Sequence, residues 1–119
     1  MNCSTEIHGN VGTLKLEGRF TFDTNMEFKT QTKRLLEFPG LKKIQLDLAD
    51  IAYLDSNALG MLLLLREMAQ NKGVEVVLLS PSSSVMAILD MVQFGKLFTI
   101  AAAPDSPLKL DLSDSTLDL

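Results

Sequence analysis

The sequence is short of the residues that usually carry chemistry. It has one cysteine and one histidine in 119 residues. Cys3 has no second cysteine to pair with, and Cys3 with His8 is too small a set to hold zinc. A lone thiol fits a reducing compartment. Basic residues are outnumbered, 11 Lys and Arg against 15 Asp and Glu, for a net charge of −4. That balance argues against nucleic acid, which calls for a basic face. The opening MNCSTEIHGN lacks a basic stretch followed by an apolar run, so no signal peptide is expected. The longest apolar run, Met61 to Leu65, falls far short of a membrane span. No internal repeat is visible. What remains is a soluble, cytoplasmic domain, long enough to bury roughly two-thirds of its unfolded surface without a disulfide or metal staple.

Hydrophobic periodicity sets out the elements. Residues 2–8 form a weak strand candidate, and Gly9-Asn10 is a turn signal. From Val11 to Leu16 the chain alternates, with Gly12, Leu14 and Leu16 on one face, so a hairpin is expected. Phe28, Leu35 and Leu36 recur at helical spacing after an N-cap at Asp23 or Thr24, and Pro39-Gly40 stops that helix. Its other face carries Lys29, Lys33 and Arg34, read as solvated surface. Lys43 to Leu48 is a strand, and Ala49 to Leu54 reads as a connection. Asn57 to Gln70 is the strongest helix signal, apolar almost all round in its first three turns, and Lys72-Gly73 closes it. Val74 to Leu79 suits a strand covered on both faces. The Ser82-Ser83-Ser84 run reads as turn and cap before a helix through Val85, Ile88, Leu89 and Val92. Leu97 to Ala101 is a last short strand. The six methionines fall mostly inside helical patterns and read as core filler. Residues 1–103 form the domain. Residues 104–119 read as a mobile tail, with Leu108, Leu110 and Leu112 offering an extra edge strand.

The fold class is therefore α/β. A small mixed sheet of four to five strands, with three to four helices mainly on one face, follows from the alternation of elements and right-handed crossovers.

The chain is organised around Ile44 to Glu67, where a buried strand turns into an apolar helix at Ser56. Helix N-termini expose unpaired N–H groups and partial positive charge. Asp55 or Ser56 fills the cap, and Ser56 as a plain cap is one reading. The other is a phosphorylation site, since a phosphate is well held at such an end. Ala58 and Gly60 are small and leave room for a partner's backbone, although Gly60 also suits close helix–sheet packing. Catalysis is a poor third. A serine nucleophile needs an adjacent base, and the single histidine lies in the N-terminal segment. The G-x-S-x-G elbow is absent around Ser56, and no glycine-rich loop or paired metal ligands appear. No catalytic residue, metal or cofactor is expected.

At YLDSNALGMLLLLRE the chain resembles a STAS domain, the fold of bacterial anti-sigma-factor antagonists. The family pattern is an apolar strand, then Asp-Ser-(Ser/Thr)-Gly-Leu-Gly, then a helix. Here it reads Asp55-Ser56-Asn57-Ala58-Leu59-Gly60. The segment SPSSSVMAILDMVQFGKLFTI is similar to the family's third helix and last strand. The resemblance covers roughly residues 10 to 101. It implies that Ser56 is modified by a partner serine kinase of histidine-kinase-like ATPase fold, itself an anti-sigma factor or switch protein. It implies release on phosphorylation and reversal by a metal-dependent serine phosphatase. Docking is expected at Thr21, Asp23 and Thr24, and at Asp55, Ser56, Asn57, Ala58 and Gly60. Asn57 stands where the family has Ser or Thr, Ala58 where it has Gly, and Thr21 where many members have Asp, with Asp23 close by.

Overall fold

The computed structural model describes residues 1–102. Five strands lie in the order β1-β2-β3-β4-β5. They are β1 (Asn2–His8), β2 (Val11–Phe20), β3 (Lys43–Leu54), β4 (Glu75–Leu79) and β5 (Thr99–Ala101). The β1–β2 hairpin is antiparallel and every other pair is parallel. Helices α1 (Asn25–Leu36), α2 (Ser56–Asn71) and α3 (Ser83–Met91) make the crossovers. Single 3₁₀ turns at Phe22–Thr24 and Phe94–Lys96 precede α1 and follow α3. The expected tail and edge strand at 104–119 lie outside the described residues.

Alternation decides which sheet face is inside. Leu14 and Leu16 on β2 and Ile44, Leu46 and Leu48 on β3 are buried, and all three helices add their apolar stripes to the same cluster. Phe28 of α1 packs on Phe20 at the end of β2, with ring centroids 4.6 Å apart. The opposite face of β2 and β3 is polar, with Thr13 bonded to Gln45 at 3.2 Å and Lys15 paired with Asp50 at 3.3 Å. Val76 to Leu79 of β4 are buried without a break, as a strand covered on both faces should be.

Two expectations about β3 and β2 need correction. Ala49 to Leu54 is not a connection, because β3 runs on to Leu54 and β2 beside it runs on to Phe20. The register slips between Lys15 and Glu17 and again between Gly18 and Arg19, each time fitting an extra β3 residue. These bulges change the buried spacing on β3 from two to three, through Leu48, Ile51 and Leu54. The strand lost its period of two and so hid from a search for alternation. Gly18, at φ 104°, stands on β2 where the second slip occurs, in a conformation that glycine adopts without strain.

The helices also differ in detail from their patterns. The buried stripe of α2 is only Ala58, Leu62, Leu65 and Ala69. Leu59, Met61 and Met68 pack at its margins, while Leu63 is 40% exposed. The methionines are not uniformly core filler. Met26 and Met91 are 74% and 81% exposed.

Candidate functional site

β3 delivers Asp55 to the end of the parallel sheet in extended conformation, and α2 begins at the next residue. The Asp55 carboxylate has two oxygens and both are used. Oδ1 accepts from the Ala58 N–H at 2.8 Å, which is an N-cap bond. Oδ2 accepts from the Phe22 N–H at 2.9 Å, which ties the turn before α1 to the start of α2. The Asp55 N–H in turn donates to the Phe20 carbonyl at 3.3 Å. Asp55 is therefore the cap, and the choice that the sequence left open between Asp55 and Ser56 is resolved.

Ser56 is the first helical residue. Its side chain is exposed and makes no hydrogen bond among the described residues. Asn57 is exposed as well and accepts from Asn25 Nδ2, a second link between α1 and α2. Ala58 must be withdrawn from the surface set. It is 0% exposed, because it begins the stripe that continues at Leu62 and Leu65. Gly60 does reach the surface. A Cβ there would meet nothing within 4 Å, so close packing is not the reason for this glycine. A glycine inside a helix costs roughly 0.5–1 kcal/mol relative to alanine, and here no contact offsets it.

The Thr21 to Thr24 segment sits against this junction. The Thr21 N–H donates to Thr24 Oγ1 at 3.0 Å, and the Thr24 hydroxyl donates to the Thr21 carbonyl at 2.8 Å. Asp23 does not cap α1. Its carboxylate accepts from the Thr21 hydroxyl, which, with a backbone N–H, holds its pKa below the ordinary value. Asp23 is exposed, and among the described residues it has no salt-bridge partner. The structure thus gathers Thr21, Asp23, Thr24, Asp55, Ser56, Asn57 and Gly60 at one end of the sheet.

Periodicity did not mark Phe22 and Met26, which are 68% and 74% exposed beside Asp55 and Asn25. A signal existed for Met26. It lies two residues from buried Phe28, hence about 200° round the helix and on the opposite face. His8 lies at the far end of the sheet, opposite Val11 and level with Lys43. By strand rise alone that is roughly 35–40 Å from Ser56. The single histidine therefore does not stand beside the hydroxyl. Among the described residues no cluster of His, Cys, Asp or Glu could hold a metal, and no helix is long and apolar enough to cross a membrane.

A sequence model of the STAS domain matches residues 2–113. The chain is 37% identical over 93 residues to a STAS-domain containing protein of Pseudomonas aeruginosa (strain UCBPP-PA14), covering 78% of this chain and 90% of that one. An anti-sigma-factor antagonist (STAS) domain protein from Planctomyces limnophilus superposes with a TM-score of 0.77 at 11% identity, over 89% of this chain and 94% of the other. The Bacillus anti-sigma factor antagonist SpoIIAA superposes in its unphosphorylated form with a TM-score of 0.70 at 15% identity, over 90% and 94% of the two chains. Its phosphorylated form gives 0.69 at 13% identity, over 90% and 96%. The sequence match and the shared fold agree, and the chain belongs to the STAS domain family, with the fold of the anti-sigma-factor antagonists.

Proposed function

We propose that this chain is a cytoplasmic partner-switching regulator, not an enzyme, whose binding is gated by phosphorylation of Ser56. One observation carries the reading: Asp55 alone caps α2, so the Ser56 hydroxyl is free, exposed and unbonded at a helix N-terminus. A serine that served only as a cap would be accepting a backbone N–H, and this one is not. Gly60, one turn on, keeps the same stripe clear. The SpoIIAA relative, solved in both forms, supports phosphorylation as a state this fold accommodates. The modifying enzyme is a serine kinase of histidine-kinase-like ATPase fold, acting as anti-sigma factor or switch protein. A metal-dependent serine phosphatase resets the site. The unmodified form binds the kinase or another client, and the phosphorylated form lets go.

The size of the switch is adequate. Unit charges about 4 Å apart at an effective dielectric near 20 interact by roughly 4 kcal/mol, and each 1.4 kcal/mol is about tenfold in affinity. A phosphate set against an acidic or desolvated face then weakens binding by about a hundredfold or more. The test is affinity capture from the native host with wild type, Ser56→Ala and Ser56→Asp. Ser56→Ala is expected to retain a kinase-fold partner that Ser56→Asp loses. Equal capture by all three would leave a constitutive STAS scaffold as the better reading.

A further inference from the structure

β1 closes one side of the sheet, with no strand beyond it among the described residues. Its backbone groups point in alternating directions, as in any antiparallel pair. The two-residue turn Gly9-Asn10 makes His8 and Val11 a bonded pair, so Glu6, Ser4 and Asn2 also bond to β2. The Asn10 carbonyl agrees in phase. It points away from β1 and accepts from the Lys42 and Lys43 N–H groups, where β3 begins, at 2.8 and 3.2 Å. Cys3, Thr5 and Ile7 therefore turn their N–H and C=O groups outward. Such an edge is a template for another strand, and proteins blunt it with proline or lysine. β1 has neither.

The helix over this edge has a definite phase too. α1 lies over β1 and β2 alike. Its Glu27 carboxylate stands beside Cys3, and burial first, then that carboxylate, push the thiol up to about 11. Leu35 lies against Gly12, the cross-strand partner of Ile7. So α1 runs alongside β1, rising about 1.5 Å per residue against about 3.4 Å, and Gln31 comes level with Thr5. Glu27, Gln31 and Arg34 share the side of α1 nearest the free edge. Glu27 and Arg34 are exposed, and neither has a salt-bridge partner among the described residues.

We propose that β1 pairs antiparallel with β1 of a second copy of this chain, about a two-fold axis through Thr5, so that two sheets become one. In that register Thr5 faces the partner's Thr5 and Cys3 faces the partner's Ile7, and every outward N–H and C=O of β1 finds a mate. Within β1, a centre at Ser4 leaves Ile7 without a mate. A centre at Glu6 leaves Cys3 without one and sets two carboxylates face to face. With the centre at Thr5, Glu6 faces the partner's Ser4 and His8 faces the partner's Asn2, so no like charges are directly opposed. The helices fit as well. Neighbouring strands are about 4.8 Å apart, so an α1 axis midway between β1 and β2 is about one such spacing from the two-fold axis. The two α1 axes are then about 10 Å apart, which is a helix-packing distance. Gln31 meets the partner's Gln31 near the axis, and Glu27 comes within reach of the partner's Arg34. The edge is thus complementary to itself in hydrogen bonds, charge and spacing, which a foreign strand has no reason to match. This inference stands apart from the Ser56 reading, since β2 separates β1 from β3 and the helix that follows it.

The experiment is sedimentation equilibrium of the full chain, with amide exchange followed by NMR over a range of concentrations. The wild type is expected to sediment as a dimer. As it associates, the amides of Cys3, Thr5 and Ile7 slow, while those of Ser4, Glu6 and His8 are slow throughout. Thr5→Pro removes an N–H that the single chain does not use, so it is expected to fold and to weaken association by about tenfold or more. Glu27→Arg sets arginine against arginine and weakens association too, and adding Arg34→Glu restores it. A protein that stays monomeric at every concentration overturns the proposal. So does a dimer in which the Cys3, Thr5 and Ile7 amides exchange as fast as in the monomer, or one that Thr5→Pro leaves untouched. If the double charge swap recovers nothing that Glu27→Arg loses, the two-fold axis through Thr5 is overturned.

Discussion

Helices α2 and α3 both follow a parallel strand and both have serine as their first residue, yet the residues that cap them differ. At α3 the serine is the cap, with Ser82 Oγ accepting from the Val85 N–H at 3.4 Å and lying 3.3 Å from Ser84 Oγ. At α2 an aspartate has taken that role, and the serine has moved one place into the helix with nothing to hold. A hydroxyl engaged as a cap is part of the fold, and modifying it would undo the helix start. A hydroxyl released from capping can be modified without that cost. Ser83, the first residue of α3, is likewise exposed and off the cap, so what sets Ser56 apart is its place beside the link from Asp55 to Phe22.

Alanine at each of the three positions breaks the comparison most directly. Asp55→Ala removes a charged cap and the link to Phe22 together, and is expected to cost about 2–3 kcal/mol in urea unfolding. Ser82→Ala loses one long bond and is expected to cost about 0.5–1 kcal/mol. Ser56→Ala should stay within about 0.5 kcal/mol of wild type, as surface changes away from any cap do. Asp55→Asn separates the two bonds of Asp55. Its amide has one acceptor oxygen, so it can keep the cap or the Phe22 link but not both. Faster hydrogen exchange at the Phe22 amide, with the Ala58 amide still protected, is the expected result. A Ser56→Ala protein as unstable as Ser82→Ala would mean that the two helix starts are alike after all.

How much of this was legible follows from where each signal came from. The β1–β2 hairpin, α1, α2 and α3 were visible because one period runs through each, and β4 because its apolar run is unbroken. The end of β3 was not, because two bulges exchanged a period of two for a period of three. Ala58 and Gly60 look equivalent as small residues, and only their phase differs. Ala58 is in step with Leu62, Leu65 and Ala69 and is therefore buried, while Gly60 is out of step and exposed. That much could have been read from the spacing. The division of labour between Asp55 and Ser56 could not, since both are good caps and the second bond to Asp55 comes from Phe22, 33 residues earlier. Exposure of Phe22 was equally hidden, since a single apolar residue before a helix carries no face.

Gly60→Ala sharpens the contrast, because stability and binding should move in opposite directions. With open space around its Cβ, alanine is expected to add about 0.5–1 kcal/mol to stability by relieving the helix of a glycine. The same methyl group stands one turn from Ser56 on the exposed stripe, so affinity for the proposed kinase should fall. Unfolding midpoint and dissociation constant, measured on the same preparation, check both. A variant that gains stability and keeps its affinity would show that no partner comes close at that turn.

The smallest expected effect concerns the turn that precedes α1 and leans on α2, which α3 lacks. The Thr21 hydroxyl is the main reason that the Asp23 carboxyl sits below its ordinary value of 3.8, with a backbone N–H adding to it. Because the folded pKa is lowered, the ionised form favours the folded state. That contribution is complete above the ordinary value and is lost as pH falls through the lowered one. Asp23 is fully open to solvent, so the change in stability is slight and the titration is the better measure. Thr21→Val removes the donor, and the Asp23 carboxyl, followed by NMR, should return toward 3.8. If it does not move, the Thr21 hydroxyl is not what holds Asp23 ionised, and the turn owes its shape to the Thr21–Thr24 pair alone.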